Sequence, residues 1–322
     1  MSSSLKHIKN LNSKETEFHT IVAGIRLEHP LMNAAGTCKL VEEVETLART
    51  ATAAIEVGSI TVEEREGNVG ETYWSGNFFS LNSRGLPNPG LSYYRRYLSL
   101  MVAIARNSNK PLFVSVVGFS PDEYAFLTEL VFQKSADLVT LNLGCSNIWE
   151  NGEQKRIPGF DSRLTAEILR CVKEKVGKEA KLAVKLPPFS NPRNLKEIAQ
   201  VIIRSEIIKA VTTSDTFPNA LSFNEKGESR IVPGSGLAAL GGSALNPIAL
   251  GQIKQFRDIL PKHIDVVGVG GVTTGRDIVD FRRAGANVVQ VATAILNKDP
   301  RRVFDRLLIE FSEVMKEQKR MF

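Results

Sequence analysis

The chain has 322 residues, 43% hydrophobic and 24% charged, with a net charge of +6 at pH 7. That is the make-up of an ordinary globular protein; it carries no basic–aromatic array or known motif for nucleic acid and no run near the roughly 18 apolar residues of a membrane span. Three cysteines (Cys38, Cys145, Cys171) without a Cys-x-x-Cys pair argue against a disulfide framework and against a zinc or iron–sulfur site.

The chain opens on a polar stretch, Met1 to Asn10, which lacks the apolar centre of a signal peptide and points to a cytoplasmic protein. Short β-branched runs then alternate with amphipathic segments. The runs predict strands over Leu31 to Ala35, Ala54 to Ser59, Leu112 to Gly118, Leu138 to Gly144, Leu182 to Leu186, Ala210 to Thr216, Val266 to Gly270 and Val288 to Ala294. Most are apolar throughout, as parallel strands buried on both faces must be. Helical spacing covers Pro121 to Lys134, with Ser120 as N-cap and Pro121 at the first helical position. It recurs over Leu164 to Lys175, Asn194 to Ser205, Pro247 to Leu260, Gly275 to Ala284 and Pro300 to Lys319, whose end holds the densest basic stretch, Lys316 to Arg320. This order predicts a single (β/α)8 barrel domain spanning residues 1–322. A doubly wound open sheet is the alternative. Two connections, Ile60 to about Ser99 and Ser146 to Ser162, are too long for turns and leave the C-terminal face, where long loops build or cover sites.

Four stretches carry chemistry. Leu141-Asn142-Leu143-Gly144-Cys145-Ser146-Asn147 sets a cysteine between two carboxamides where a strand runs out into a loop. Asparagines can hold a flat polar ring, and a thiol between them can exchange a proton with it; the bland reading is an inert buried thiol. Gly268-Val269-Gly270-Gly271-Val272-Thr273-Thr274-Gly275 ends the seventh strand and opens a helix. Its amides and the helix N-terminus would suit a phosphate, with Ala292-Thr293 after strand eight adding donors; the bland reading is a tight turn. Lys185, inside an apolar strand, must either face an anionic or polarised ligand or pair with a carboxylate. Lys39 stands just past the first strand, either in the site or as a solvated helix-start lysine. Trp74 and Trp149 lie in the two long loops and either cover the site or pack the loops down. The four histidines form no metal spacing.

From about Leu31 to about Met315 the sequence resembles the dihydroorotate dehydrogenase family, and within it the soluble class 1 enzymes. The likeness rests on an ordered set of motifs: Asn33-Ala34-Ala35-Gly36, Arg65-Glu66-Gly67-Asn68, Asn82-Ser83-Arg84-Gly85-Leu86-Pro87-Asn88, the cysteine loop, Val184-Lys185-Leu186-Pro187-Pro188, Leu240-Gly241-Gly242 with Pro247-Ile248-Ala249-Leu250, and the glycine-rich end of strand seven. The resemblance implies an FMN enzyme on a (β/α)8 barrel that oxidises dihydroorotate to orotate in pyrimidine biosynthesis, with fumarate as the suggested electron acceptor. Cys145 would be the base, and an ordinary thiol pKa near 8.5 would make flavin reduction faster as pH rises. Lys39, Asn82, Arg84, Gly85, Leu86, Asn142, Asn147, Asp215 and Thr216 would meet the substrate. Ala34, Ala35, Gly36, Ser59, Asn142, Lys185 and Ala239 would border the flavin, and Val269, Gly270, Gly271, Ala292 and Thr293 its phosphate. Class 1 also suggests a homodimer, and includes assemblies with a separate electron-transfer subunit.

The sequence departs from that pattern in places. Gly58 stands where class 1 has a lysine before the serine at the end of strand two. The Glu56-Val57-Gly58-Ser59 stretch looks more like the membrane-bound class 2, whose lysine follows strand one, where Lys39 stands here. Class 2 uses serine as base and carries an N-terminal membrane helix. The family's cysteine is normally followed by proline, here by Ser146; Ala238-Ala239 replaces a glycine pair; and Asp215 replaces an asparagine, an ionised acceptor where the family has a group that also donates. These differences leave room for a flavin oxidoreductase acting on another dihydropyrimidine or cyclic amide, or for a flavin-binding paralogue without catalysis.

Overall fold

A computed structural model describes residues 18–150 and 152–320, so Met1 to Asn10 lies outside the described residues. A short hairpin, β1 (Thr20–Val22) with β2 (Ile25–Leu27), sits under the N-terminal ends of the later strands. There the Ala23 amide donates to Asp265 Oδ2 at 2.8 Å and Thr20 Oγ1 to the Asn287 carbonyl at 2.7 Å. The chain then runs β3 (Leu31–Asn33), α1 (Val41–Ala48), β4 (Ile55–Ile60), β5 (Tyr73–Ser75), β6 (Ser80–Asn82), α2 (Gly90–Asn107), β7 (Leu112–Val116), α3 (Pro121–Gln133) and β8 (Leu138–Asn142). It continues through β9 (Trp149–Glu150), β10 (Glu153–Gln154), α4 (Ser162–Val176), β11 (Leu182–Lys185), α5 (Pro192–Ser205), β12 (Ile208–Thr213), β13 (Phe217–Ala220), β14 (Ala238–Gly241), α6 (Asn246–Ile259), β15 (Asp265–Val269), α7 (Gly275–Ala284), β16 (Val288–Val291) and α8 (Pro300–Arg320).

Eight strands form one parallel sheet in the order β3-β16-β15-β12-β11-β8-β7-β4, a (β/α)8 barrel. The seam between β3 and β4 is bridged by a side chain as well as by backbone bonds such as Ala53 amide to Leu31 carbonyl at 2.9 Å. Asn33 Oδ1 accepts from the Glu56 amide at 2.9 Å and its Nδ2 donates to the Glu56 carbonyl at 2.8 Å. One apolar layer fills the barrel's lower interior (Leu27, Met32, Phe113, Leu138, Val267, Val288), and a larger one lies between strands and helices. Helix α5 illustrates the second: Leu195, Ile198, Ala199 and Ile202 fall on one face by the 3.6-residue period and are buried. Each of its leucine and isoleucine side chains contributes roughly 1.5–3 kcal/mol by leaving water.

The structure differs from the sequence reading in two places. The connection after β4 ends at Pro89, not near Ser99: α2 begins at Gly90 and buries Tyr94, Leu98, Met101, Val102 and Ala105 against the barrel. The turn-forming run before it hides that spacing. A further long excursion follows β12, and it was not foreseen. Its strands β13 and β14 join β6 and β5 in a four-stranded antiparallel sheet, with Ala239 opposite Asn82. Strands of three or four residues whose partners lie far along the chain leave almost no local signal.

Candidate active site

The C-terminal ends of the barrel strands and this second sheet enclose a cavity. Every residue that the sequence assigns to base, substrate or cofactor lines it except Ala239. Ala239 is buried behind the wall and its carbonyl accepts from Asn82 Nδ2 at 3.2 Å; its neighbours Gly241 and Gly242 line the cavity instead.

The cysteine loop is braced on both sides. Asn142 ends β8; its Nδ2 donates to Ser59 Oγ at 2.9 Å, and its Oδ1 accepts from the Gly144 amide at 3.1 Å. Asn147 Nδ2 donates to Asn82 Oδ1, tying the loop to the second sheet, and Asn68 Nδ2 donates to the Asn147 carbonyl at 3.0 Å. Cys145 is held between them, partly exposed to the cavity. Burial pushes its thiol up to about 12, and the charge of Asp215 pushes the same way; the Asn147 amide, Lys185 and Arg65 oppose this more weakly. Burial thus moves ionisation of this thiol to a higher pH than that of an ordinary thiol.

Lys185 stands both at the cavity wall and beside a carboxylate. It lines the cavity at 6% exposure, and its Nζ lies 3.5 Å from Asp215 Oδ2. Asp215 is oriented by the Thr216 amide, which donates to Oδ1 at 2.8 Å. Lys39 also reaches the cavity, where its Nζ donates to the Pro87 carbonyl. Burial lowers its pKa to about 8, helped by the positive charge of Arg84. Arg84 in turn lies over the Tyr73 ring at 4.7 Å, both facing the same space. Gly58 explains why no lysine stands on strand two. Its φ is +115°, and a Cβ there would collide with the Ser115 carbonyl oxygen. Lys39 enters the cavity from the segment that follows the neighbouring β3.

At the other side Val269, Gly270, Gly271, Ala292 and Thr293 converge with Gly241 and Gly242. The expected help from the α7 helix N-terminus is not available. Asp277 caps it, accepting from the Thr273 and Thr274 amides at 2.9 and 2.8 Å, and Glu310 takes the Gly275 amide at 2.8 Å. An anion here would rest on the loop backbone instead. Both tryptophans pack loops: Trp149 Nε1 donates to Ser83 Oγ at 3.1 Å, and Trp74 packs at a tilt against Phe79 with Arg230 over its ring. Sequence reasoning missed Tyr73, Ser214, Gln290 and, behind the wall, Glu56. A polar residue in an apolar strand, the signal that marked Lys185, was present at Glu56 and Gln290 too.

The profile of the dihydroorotate dehydrogenase family matches residues 17–315. The chain belongs to this family. It is 32% identical over 304 residues to the probable dihydroorotate dehydrogenase A (fumarate) of Streptococcus pneumoniae serotype 4, covering 93% of each chain. It is 34% identical over 291 residues to the dihydroorotate dehydrogenase (fumarate) of Lachancea kluyveri, covering 89% of this chain and 90% of that one. A solved structure of the Eimeria tenella enzyme in complex with ferulenol superposes with a TM-score of 0.79 at 17% identity, covering 99% of this chain and 93% of the other; it supports the fold alone.

Membership makes the chain an oxidoreductase acting on CH–CH donors and implies a flavin cofactor. The residues present fit such a group. Gln290 Oε1 and Ser214 Oγ are buried, border the cavity and have no hydrogen-bond partner among the described residues. Gly36, at φ +91°, has open space where a Cβ would project, so a flat ring can lie against its backbone. Among the described residues no helix is long and apolar enough to cross a membrane, and no cluster of His, Cys, Asp and Glu could hold a metal.

Proposed function

We propose that this protein oxidises dihydroorotate to orotate with FMN as its cofactor and Cys145 as the base that removes the C5 proton. The observation that carries the reading is the thiol fixed between Asn142 and Asn147, facing the same cavity as Lys185 and the glycine-rich ends of β15 and β16. When bound, FMN supplies the acceptor for the hydride from C6. The chain's own groups position and deprotonate. Val269, Gly270, Gly271, Ala292 and Thr293 would hold the phosphate, and Ala34, Ala35, Gly36, Ser59 and Lys185 the ring. Asn82, Asn142, Asn147 and Thr216 would hold the pyrimidine. Lys39, Arg84 and the backbone at Gly85 and Leu86 would take the substrate carboxylate. A positioned base of this kind contributes about 10²–10⁴ in rate. The names of the relatives support fumarate as acceptor; a homodimer and a cytosolic setting are part of the same proposal.

A second reading has a specific motive. Asp215 faces the cavity as a carboxylate, which disfavours an anionic substrate and suits an uncharged dihydropyrimidine that donates hydrogen bonds. Lys39 and Arg84 weigh towards the anion. The test is an anaerobic comparison: flavin bleaching by dihydroorotate, reversed by fumarate, supports the first reading. Faster bleaching by 5,6-dihydrouracil supports the second.

A further inference from the structure

Gln290 is the polar exception in the apolar strand Val288-Val289-Gln290-Val291 and is 2% exposed. Its Nε2 donates to Glu56 Oε2 and lies 3.9 Å from Met32 Sδ. The Glu56 carboxylate also accepts from Thr140 Oγ1 at 2.7 Å and from the Ala35 amide. Burial raises the Glu56 pKa, but its hydrogen bonds from Thr140, Gln290 and Ala35 and the charge of Lys185 oppose that shift and favour the ionised form, which accepts the NH2 end of the Gln290 amide. The orientation of that amide is therefore set by Glu56, and Oε1 turns elsewhere. Oε1 is buried, Gln290 lines the cavity, and among the described residues no group donates to it. A buried carbonyl left without a donor is costly, so its partner is to be sought in the ligand.

We infer that Gln290, aligned by Glu56, is a positioning residue that accepts a hydrogen bond from the ring N–H of the flavin and selects for a cofactor with a free N3 position. The inference rests on the flavin reading above. Oxidised isoalloxazine has a single ring N–H, at N3. Gln290 stands two residues before Ala292-Thr293 on β16, whereas Asn142 ends β8, four strands away in an eight-stranded barrel and so on its opposite side. That placement favours the cofactor over the substrate as the donor.

The test compares FMN with 3-methyl-FMN, which lacks the donor, on the wild-type apoprotein and on Gln290→Met. Methionine keeps the volume and removes the acceptor, so a preference due to steric exclusion of the methyl group would persist. A preference due to the hydrogen bond would vanish. The wild type should bind FMN about fivefold or more tighter than 3-methyl-FMN, and the variant should bind the two within about twofold. Equal binding by the wild type, or an unchanged preference in the variant, overturns the inference. A wild type that binds no FMN overturns the flavin reading itself. Independently of any variant, ¹⁵N-labelled FMN bound to the wild type should show an N3 proton shifted downfield and slow to exchange. An N3 proton lost to solvent exchange overturns the inference.

Discussion

Replacing Asp215 by Asn removes the carboxylate that opposes ionisation of Cys145 while keeping its volume. In the wild type, burial is the main reason the thiol stands near 12, and Asp215 is the next. Lys185, 3.5 Å from Asp215 Oδ2, cancels part of that charge, so the effect is smaller than that of a bare neighbour. Removing one like charge of this sort lowers the thiol pKa by about one, which raises the thiolate fraction at pH 8 about tenfold. The thiolate is then a weaker base, and with a Brønsted coefficient near 0.5 the net gain is about threefold. The sign follows from the thiolate being the active form: both rates rise with pH, and the variant's curve lies at lower pH. The assay is anaerobic stopped-flow reduction of the bound flavin by saturating dihydroorotate between pH 7 and 10. The wild-type logarithm should climb nearly linearly over that whole range, without a plateau near 8.5. A plateau there, or an Asp215→Asn curve that superimposes on the wild type, would refute this account of the site's electrostatics.

Other consequences follow from the same geometry. Lys39, with its pKa near 8, is a cation below that pH and neutral above it, so binding of the anionic product orotate should weaken as pH rises past 8. Lys39→Met should bind orotate weakly at all pH values and lose that dependence, read from the spectral shift of the flavin; an unchanged dependence would remove Lys39 from carboxylate binding. Gly58→Lys should not restore the family's strand-two lysine: the collision with Ser115 and the positive φ should lower stability by at least about 2 kcal/mol, seen as a fall in Tm. Asn33→Ala opens the β3–β4 seam and leaves the Glu56 amide and carbonyl without their partners, at roughly 2–4 kcal/mol, measurable by denaturant unfolding.

The barrel was readable because its strands are buried on both faces, so burial itself writes a run of Val, Ile and Leu at each one. The helices α3 to α8 were readable from their period, with boundaries differing by a residue or two. Helix α2 was not, because Pro87-Asn88-Pro89-Gly90 signals a turn at its mouth. The second sheet was invisible for a different reason: β6 and β14 make sense only as partners, and Asn82 and Ala239 are far apart in the chain. The cysteine loop declared itself through residue types that have no purpose in an ordinary core. Lys185 did too, although the sequence alone does not distinguish a ligand from a carboxylate partner, and the fold supplies Asp215 beside the cavity. Glu56 and Gln290 sent the same signal more quietly, since an uncharged amide in a strand is easily taken as a minor irregularity. The role of Gly58 depends on the carbonyl of Ser115 on the next strand, and no inspection of one segment could reveal it.

The central claim is that Cys145 takes the C5 proton. It is tested by a single turnover of FMN-loaded Cys145→Ala with dihydroorotate under anaerobic conditions, after its folding and flavin content are matched to the wild type. Bleaching at least a hundredfold slower than wild type, with orotate still bound about as tightly, is the predicted result. Bleaching at the parent rate would show that another group, or none, removes the proton.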